Sequence, residues 1–184
     1  MIKCNYLEIE GVLLFESEKH EDSRGSFSEV YREADCAKFL PNNIHFIQDN
    51  ESVSKYGVLR GLHFQTVPLE QAKLIRVSRG EIQDVVVDIR KHSKTFGKHI
   101  SLKLSKQNGK QLFVPKGFAH GFLVLSDTAI INYKVDNYYS KEHDSGILFN
   151  DPDLKINWAI RNSEIQISDK DSSLSQLKNL NLLL

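Results

Sequence analysis

Short apolar and β-branched segments recur along this chain, with turn residues between them. Each is close to the length of about four to eight residues that is typical of a strand, and shorter than most helices. Breaks such as Ser-Lys, Asn-Gly and Lys-Gly separate them. The predicted strands are residues 11–15, 27–31, 44–48, 58–64, 74–77, 82–89, 100–104, 111–114, 118–125 and 129–135.

This spacing predicts an antiparallel, all-β sandwich or barrel. Only residues 33–40 have a helical pattern, and residues 172–184 favour one more short helix. Strands do not alternate with long helices, which excludes a βαβ architecture. The 184 residues contain no Pro/Gly/Ser-rich linker, so we expect one domain over residues 1–184.

Charge and cysteine content restrict the classes of partner and compartment. The 24 basic residues equal the 24 acidic ones and form no long run of one sign, which argues against nucleic acid or an anionic membrane as a partner. No apolar run approaches the roughly 18 residues of a spanning helix. Cys4 and Cys36 are the only cysteines, and residues 1–5 lack a secretory pattern. We therefore expect reduced thiols and a cytoplasmic location.

The segment 57–65 places Arg60 and His63 inside an otherwise apolar strand. Glycine weakens a strand unless a bulge or a close approach requires it, and Gly61 lies between the two polar residues. Strict alternation would turn Arg60 and His63 to opposite faces. A bulge at Gly61 would bring both to one face, so the segment is predicted to form a pocket wall.

Two further strands carry polar groups on an apolar face. Lys73 shares the parity of Ile75 and Val77, and Tyr133 shares that of Ile131 and Val135. An ammonium on an inward face is costly unless it lines a cavity. Lys73 and Tyr133 are therefore candidate interior groups, with a surface lysine and a core tyrosine as the structural alternatives.

Two spacings resemble the cupin fold, a double-stranded β-helix or jelly roll. His63 follows Gly57 by six residues, and the later pattern Gly-x5-Pro-x-Gly-x2-His ends at His120. Metal-binding cupins have a second histidine two residues after the first, but Gln65 occupies that position here and is a poor ligand for such metals. We therefore expect no metal. The alternative is a two-histidine, one-carboxylate site of His63, His120 and Glu70.

A longer resemblance runs along nearly the whole chain, in order, to dTDP-4-dehydrorhamnose 3,5-epimerases, which are cupin-type sugar epimerases. The matching segments are 22–29, 48–52, 57–65, 71–73, 84–90 with 93–97, 115–122 and 168–171. The resemblance implies an all-β cupin jelly roll with a few short peripheral helices.

The resemblance also implies four catalytic residues. His63 is the expected base, Tyr133 the expected acid on the opposite face, and Lys73 the cation beside the C4 oxygen. These residue types suit inversion of a carbon next to a ketone, which needs a base, an acid and stabilisation of the enolate. Asp171 is the expected partner of His63, with Asp169 as the competing candidate.

The same resemblance implies the substrate contacts. Three cations would hold the anionic groups, four residues would surround the nucleotide, His120 would lie near the sugar, and Asp144 stands where the family usually has a glutamate. These residues are Arg24, Arg60 and Lys170 for the anions, Phe27, Glu29, Gln48 and Asn50 for the nucleotide, and His120 and Asp144.

The expected function is inversion of C3 and C5 in a nucleotide-linked 4-keto-6-deoxy sugar, from dTDP-4-dehydro-6-deoxy-D-glucose to dTDP-4-dehydro-L-rhamnose, without a cofactor. A homodimer with exchanged N-terminal strands is implied by the resemblance. Three alternatives remain open at the level of sequence. They are an epimerase of one carbon, another nucleotide or a longer sugar; a metal-dependent cupin oxygenase; and a sugar-binding cupin without catalysis.

Overall fold

The structure, a computed structural model, describes residues 2–180. Within them the chain is almost entirely β, as the spacing of apolar segments predicts. The strands are β1 (Ile2–Tyr6), β2 (Leu13–Ser17), β3 (His20–Asp22), β4 (Gly25–Phe27), β5 (Gln48–Lys55), β6 (Leu59–Gln65), β7 (Lys73–Arg79), β8 (Glu81–Asp88), β9 (His99–Ser105), β10 (Lys110–Val114), β11 (Phe118–Val124), β12 (Thr128–Val135) and β13 (Asp144–Gly146).

The strands form two antiparallel sheets and a separate hairpin. The six-stranded sheet has the order β1-β2-β10-β7-β12-β5, and the five-stranded sheet has the order β13-β6-β11-β8-β9. Strands β3 and β4 pair with each other and with no other strand in residues 2–180. Neighbours in a sheet are often distant in sequence, so the chain crosses repeatedly from one sheet to the other.

The main core lies between the sheets. Ile75, Leu112 and Ile131 point inward from the six-stranded sheet and meet Ile82 and Val86 from the five-stranded sheet. These side chains alternate with outward-facing residues along their strands, as expected for a sandwich whose inner faces form the core. Strands β7 and β12, which carry two of the predicted pocket residues, therefore pack on this core.

Two smaller apolar clusters cover the outer faces. The segment from Tyr31 to Phe46 packs on the six-stranded sheet, and the segment around Leu154 and Trp158 packs on the five-stranded sheet. The chain continues from the segment around Trp158 to α2 (Asp169–Ser172), in which Asp171 is buried.

The helices are shorter than the sequence predicts. Helix α1 spans Glu33–Cys36 instead of residues 33–40, and Pro41 follows soon after it. Helix α2 ends at Ser172, where the second predicted helix begins, and a 3-10 turn follows at Leu177–Asn179. The rest of that prediction, residues 181–184, lies outside the described residues. No helix among residues 2–180 has the length and apolar composition needed to cross a membrane.

Two predicted strands are wrong. Residues 28–31 continue beyond β4 without regular structure, and β5 begins at Gln48, where the predicted strand 44–48 ends. Tyr31, Ile44 and Phe46 are apolar because they pack on the outer face of the sheet, not because they pair in a ladder. The real strand β5 escapes prediction because its partly buried face is polar.

Candidate active site

The bulge inferred at Gly61 is present in β6. His63 lies opposite His120 on β11, and Arg60 lies opposite Phe122, so β6 has one residue more than its partner between these pairs. Gly61 has a φ of 124°, and a Cβ there would lie 2.6 Å from the Cα of Gly121. Only glycine fits this approach of two backbones. As a result Arg60 and His63 line the same cavity.

His63 is held by a carboxylate from the far end of the chain. Its Nε2 lies 2.7 Å from Oδ1 of Asp171, and the amide of Gly61 donates to Oδ2 of the same carboxylate at 3.1 Å. Ser168 caps α2 by accepting a hydrogen bond from the amide of Asp171. Of the two aspartates that compete as the partner of His63, the structure places Asp171 at the ring.

The pKa of the Asp171 carboxyl is lowered despite its burial. Burial alone would raise it, but the hydrogen bond and charge of His63, the amide of Gly61 and the charge of Lys170 together outweigh that effect. A carboxylate that stays ionised accepts a hydrogen bond from Nε2–H, which leaves Nδ1 of the neutral imidazole as the basic nitrogen. The pair is arranged for proton abstraction by Nδ1.

Lys73 occupies the inward position that its parity predicts. It is 8% exposed at the start of β7 and lines the cavity with His63. Burial lowers its pKa from 10.5 to about 8, although the charges of Asp144 and Asp136 oppose that shift. Asp136 also accepts a hydrogen bond of 2.7 Å from the amide of Ala72, which fixes the backbone next to Lys73. The ammonium is thus available at neutral pH in a poorly solvated position.

Tyr133 also lies on the predicted inner face and lines the same cavity from β12. Burial raises the pKa of its phenol, and the positive charge of Arg60 partly opposes this. The phenol therefore holds its proton at neutral pH. Arg60 is in turn oriented by Ser54, whose Oγ accepts from its Nε at 3.1 Å.

The cavity is part of a longer cleft. A space of about 520 Å³ around His63 adjoins another of about 440 Å³, and both are lined by His63, Lys73, Tyr133 and Lys170. Every predicted site residue except three lines one of the two spaces. Those in the cleft are His63, Lys73, Tyr133, Asp171, Arg60, His120, Lys170, Gln48, Asn50 and Asp144.

The outer part of the cleft contains a network around one carboxylate. Oδ2 of Asp144 accepts from Nζ of Lys170 at 2.5 Å and from the hydroxyl of Tyr139 at 3.0 Å. These contacts raise the pKa of Lys170, chiefly through its hydrogen bond to Asp144. Tyr139 was not identified from the sequence, because an exposed tyrosine in a loop has no distinguishing pattern there.

Three predicted residues lie away from this cleft. Arg24 and Phe27 are on the exposed β3–β4 hairpin, where Arg24 forms an ion pair of 2.6 Å with Asp22. Phe27 is 71% exposed, and Glu29 follows in the irregular segment after the hairpin. Within one chain, the fold does not bring these residues to His63.

Asp84, which contacts the cavity residue His120, is a further site residue that was not identified from the sequence. This fully buried carboxylate lies 3.0 and 2.9 Å, through its two oxygens, from Nε2 of His120. The signal was present, because Asp84 shares the strand parity of Ile82 and Val86 as Lys73 shares that of Ile75. The cavity is therefore lined by two histidines, each with an aspartate at its Nε2.

The alternative metal triad is not assembled. Glu70 lines a different depression from His63 and His120, and residues 2–180 contain no group of three His, Cys, Asp or Glu side chains placed to share an ion. Gln65 is used structurally instead. Its amide donates to the carbonyls of Leu69 and Tyr138 and accepts from the amide of Ser140. Gln65, at the position where metal-binding cupins have their second histidine, thus holds the loops beside the cleft through these hydrogen bonds.

Comparison with known proteins agrees with the resemblance found in the sequence. The family model for dTDP-4-dehydrorhamnose 3,5-epimerase matches residues 6–179. A dTDP-4-dehydrorhamnose 3,5-epimerase of Methanothermobacter thermautotrophicus is 47% identical over 173 residues, which cover 92% of this chain and 91% of that protein.

Solved structures agree with the sequence match. The crystal structure of dTDP-4-dehydrorhamnose 3,5-epimerase from Elizabethkingia anophelis superposes with a TM-score of 0.92 at 43% identity, covering 98% of each chain. That of dTDP-6-deoxy-D-glucose-3,5-epimerase from Legionella pneumophila, in complex with dTDP-4-keto-L-rhamnose, gives 0.94 at 39% identity, covering 98% of this chain and 95% of that one. The predicted cupin jelly roll is confirmed. By fold and by sequence, the chain belongs to the dTDP-4-dehydrorhamnose 3,5-epimerase family.

Proposed function

We propose that this protein is an isomerase that inverts C3 and C5 of a nucleotide-linked 4-keto-6-deoxy sugar. Its expected substrate is dTDP-4-dehydro-6-deoxy-D-glucose and its expected product is dTDP-4-dehydro-L-rhamnose. The observation that carries the proposal is the placement of the His63–Asp171 pair, Lys73 and Tyr133 around one cavity. Family membership supports the same reaction.

The C4 ketone makes the hydrogens on C3 and C5 acidic, because the carbanion formed by their loss is delocalised onto the C4 oxygen as an enolate. His63 takes such a proton at Nδ1 while Asp171 holds Nε2–H and stabilises the imidazolium that forms. The C–H electron pair becomes the enolate double bond. Both electrons of the C–H bond stay in the sugar. The step is therefore a proton transfer without oxidation or reduction.

Lys73 supports the enolate. A buried ammonium beside the C4 oxygen acts most strongly when negative charge develops there, and donors of this type are worth about 3 kcal/mol. Tyr133 then delivers its phenolic proton to the other face of the same carbon, which restores the ketone with inverted configuration. Exchange with water returns His63 and Tyr133 to their starting states for the second carbon.

The outer cleft provides groups for the nucleotide diphosphate. Arg60 and Lys170 offer positive charge for the phosphates, and Gln48 and Asn50 offer amides for the base. His120 lies at the sugar end near His63. The relative from Legionella pneumophila holds dTDP-4-keto-L-rhamnose, which supports a deoxythymidine nucleotide as the ligand of this cleft.

A homodimer accounts best for the residues outside the cleft. Arg24 and Phe27 are exposed on a hairpin that pairs with no other strand among residues 2–180, so the hairpin is free to reach the cleft of a second copy. Arg24, Phe27 and Glu29 would then contact the partner's nucleotide. The cytoplasmic location expected from the sequence stays a prediction.

The proposed function is tested by product analysis. The purified protein is incubated with dTDP-4-dehydro-6-deoxy-D-glucose and, separately, with a GDP-linked 4-keto sugar, and NMR gives the configuration at C3 and C5. We expect both carbons of the dTDP sugar to be inverted. Inversion of only one carbon, or preference for the GDP sugar, would replace the proposed substrate or product, and absence of any inversion or exchange would overturn epimerase activity.

A further inference from the structure

A carboxylate stands in the apolar row on the inner face of β8. Ile82 and Val86, which flank Asp84 on that face, belong to the core between the sheets, and Asp84 itself is fully buried. A buried charge is costly unless it is paired. An aliphatic residue at this position would extend the core without that cost. We therefore expect the aspartate to have a function that depends on its contacts.

Its contacts point to His120. Both oxygens of Asp84 lie within 3.0 Å of Nε2 of that ring. The two residues belong to neighbouring strands, because β8 pairs with β11, and His120 is itself 9% exposed. The ring is therefore held from its buried side by one group.

This contact determines which nitrogen faces the cavity. An ionised carboxylate only accepts, so Nε2 of His120 carries the proton that it donates to Asp84. In the neutral imidazole Nδ1 is then an acceptor. His120 lines the cavity directly opposite His63 in the β6–β11 ladder, where side chains of a pair are adjacent. The ring that carries this acceptor thus neighbours that of the proposed base.

We propose that Asp84 is a positioning residue that presents Nδ1 of His120 as the acceptor for a hydroxyl group of the sugar. The proposal rests on the function proposed above and deepens it. In a 4-keto-6-deoxyhexose linked through C1, the ring hydroxyls are those on C2 and C3, whereas the C4 ketone can only accept. His120 therefore accepts a hydrogen bond from one of two hydroxyls. One is on C2, next to the reacting C3, and the other is on C3 itself.

A purely structural role for Asp84 would have different consequences, and the chain offers a matched control. Asp151 is also a buried carboxylate, 2% exposed, and it accepts from the amides of Asp153 and Leu177. Asp151→Asn removes a buried charge without touching His120. Any effect common to Asp84→Asn and Asp151→Asn is an effect on the fold.

The experiment compares wild type, Asp84→Asn, His120→Gln and Asp151→Asn. Substrates are the complete dTDP-4-keto-6-deoxy sugar and its analogues without the C2 or the C3 hydroxyl, and deuterium uptake at C5 measures turnover of all three. Nitrogen NMR of protein labelled in its histidines reports which nitrogen of His120 carries the proton, with His120→Gln as the assignment reference. This second readout does not require turnover.

For Asp84→Asn we expect kcat/KM on the complete sugar to fall by about 10- to 100-fold, mainly through KM. That penalty should shrink toward unity with one of the two deoxy analogues, and the nitrogen shifts of His120 should move toward a mixture of tautomers. Asp151→Asn should change neither. If Asp84→Asn fails to fold, His120→Gln should show the same loss of discrimination between the complete sugar and that analogue.

An equal penalty on all three substrates, or unchanged nitrogen shifts of His120 in Asp84→Asn, would overturn the proposal. A wild-type protein that turns over none of the sugars would instead contradict the proposed function, while the nitrogen shifts would still decide whether Asp84 sets the tautomer.

Discussion

Asp171 divides its two carboxylate oxygens between His63 and the strand that carries His63. Oδ1 lies 2.7 Å from Nε2 of the ring, and Oδ2 accepts from the amide of Gly61 at 3.1 Å. One side chain thus orients the imidazole and anchors the bulge that turns it into the cavity. The proposed base therefore depends on α2, which lies more than a hundred residues later in the sequence.

Asp171→Asn should lower kcat by about 10²- to 10⁴-fold, because an amide neither stabilises the imidazolium nor holds the same tautomer. Steady-state kinetics checks this. Asp169→Asn is the matched control, since Asp169 belongs to the same helix but is exposed. Equal losses in the two variants would contradict the assignment of Asp171.

Loss of the proton of Lys73 should lower the activity at high pH. Burial lowers its pKa to about 8, so the ammonium proposed to stabilise the enolate is lost as pH rises through that value. The profile of kcat/KM against pH, which reports the groups of the free enzyme, should therefore fall above about 8. A profile that stays flat to the range of an ordinary lysine would show that the charge of Lys73 is not required.

The same pKa has a consequence for stability. The unfolded chain has the ordinary lysine pKa of 10.5, so between about 8 and 10.5 it binds more protons than the folded protein, and the free energy of unfolding rises with pH. Below that window the buried ammonium costs about 3 kcal/mol. Lys73→Met should accordingly be more stable than wild type near neutral pH, with a gap in urea unfolding that narrows across the window. A gap independent of pH would refute this.

Tyr133→Phe should separate proton removal from inversion. The variant retains His63 and Lys73, so deuterium exchange next to the ketone continues, but reprotonation from the opposite face is lost and product formation falls by about 10²- to 10⁴-fold. NMR of the sugar in D₂O measures both events. Tyr6→Phe, at a tyrosine that is 74% exposed, should change neither, and full inversion by Tyr133→Phe would exclude the phenol as the acid.

Gly61→Ala should damage both stability and activity. Its Cβ would approach the Cα of Gly121 to 2.6 Å at a φ of 124°, and relief of this contact displaces Arg60 and His63. We expect a loss of about 3 kcal/mol or more in unfolding free energy. Gly109→Ala, with φ of 61° and no atom within 4 Å of its new Cβ, should cost only about 1 to 2 kcal/mol. Similar losses at the two positions would argue against the close approach.

The sequence predicted those features that alternate regularly or that conflict visibly with alternation. Lys73 was identifiable because a charge on an apolar face is an anomaly, and Gly61 because two polar residues had to share a face. Strand β5 was not identified, since its partly buried face carries Gln48, Asn50 and Ser52 and so has no apolar period. The segment with Ile44 and Phe46 has the apolar pattern of a strand, but it packs on the outer face of the six-stranded sheet without pairing.

Pairings across long sequence separations could not be predicted from pattern alone. Asp84 and His120 carry the parity signal separately, but only the register of β8 against β11 brings them together. Likewise the contact between Gln65 and the loop at Ser140 depends on how that loop returns to the sheet. The roles of Arg24, Phe27 and Glu29 stay predictions, because they depend on a second copy of the chain.

In the proposed reaction, His63 removes the proton next to the ketone. This step is tested most directly by incubating wild type and His63→Ala with dTDP-4-dehydro-6-deoxy-D-glucose in D₂O and following the C3 hydrogen by NMR. We expect rapid exchange with inversion in the wild type and no exchange above the uncatalysed rate in His63→Ala. Exchange at the wild-type rate in a folded His63→Ala protein would contradict this role of His63.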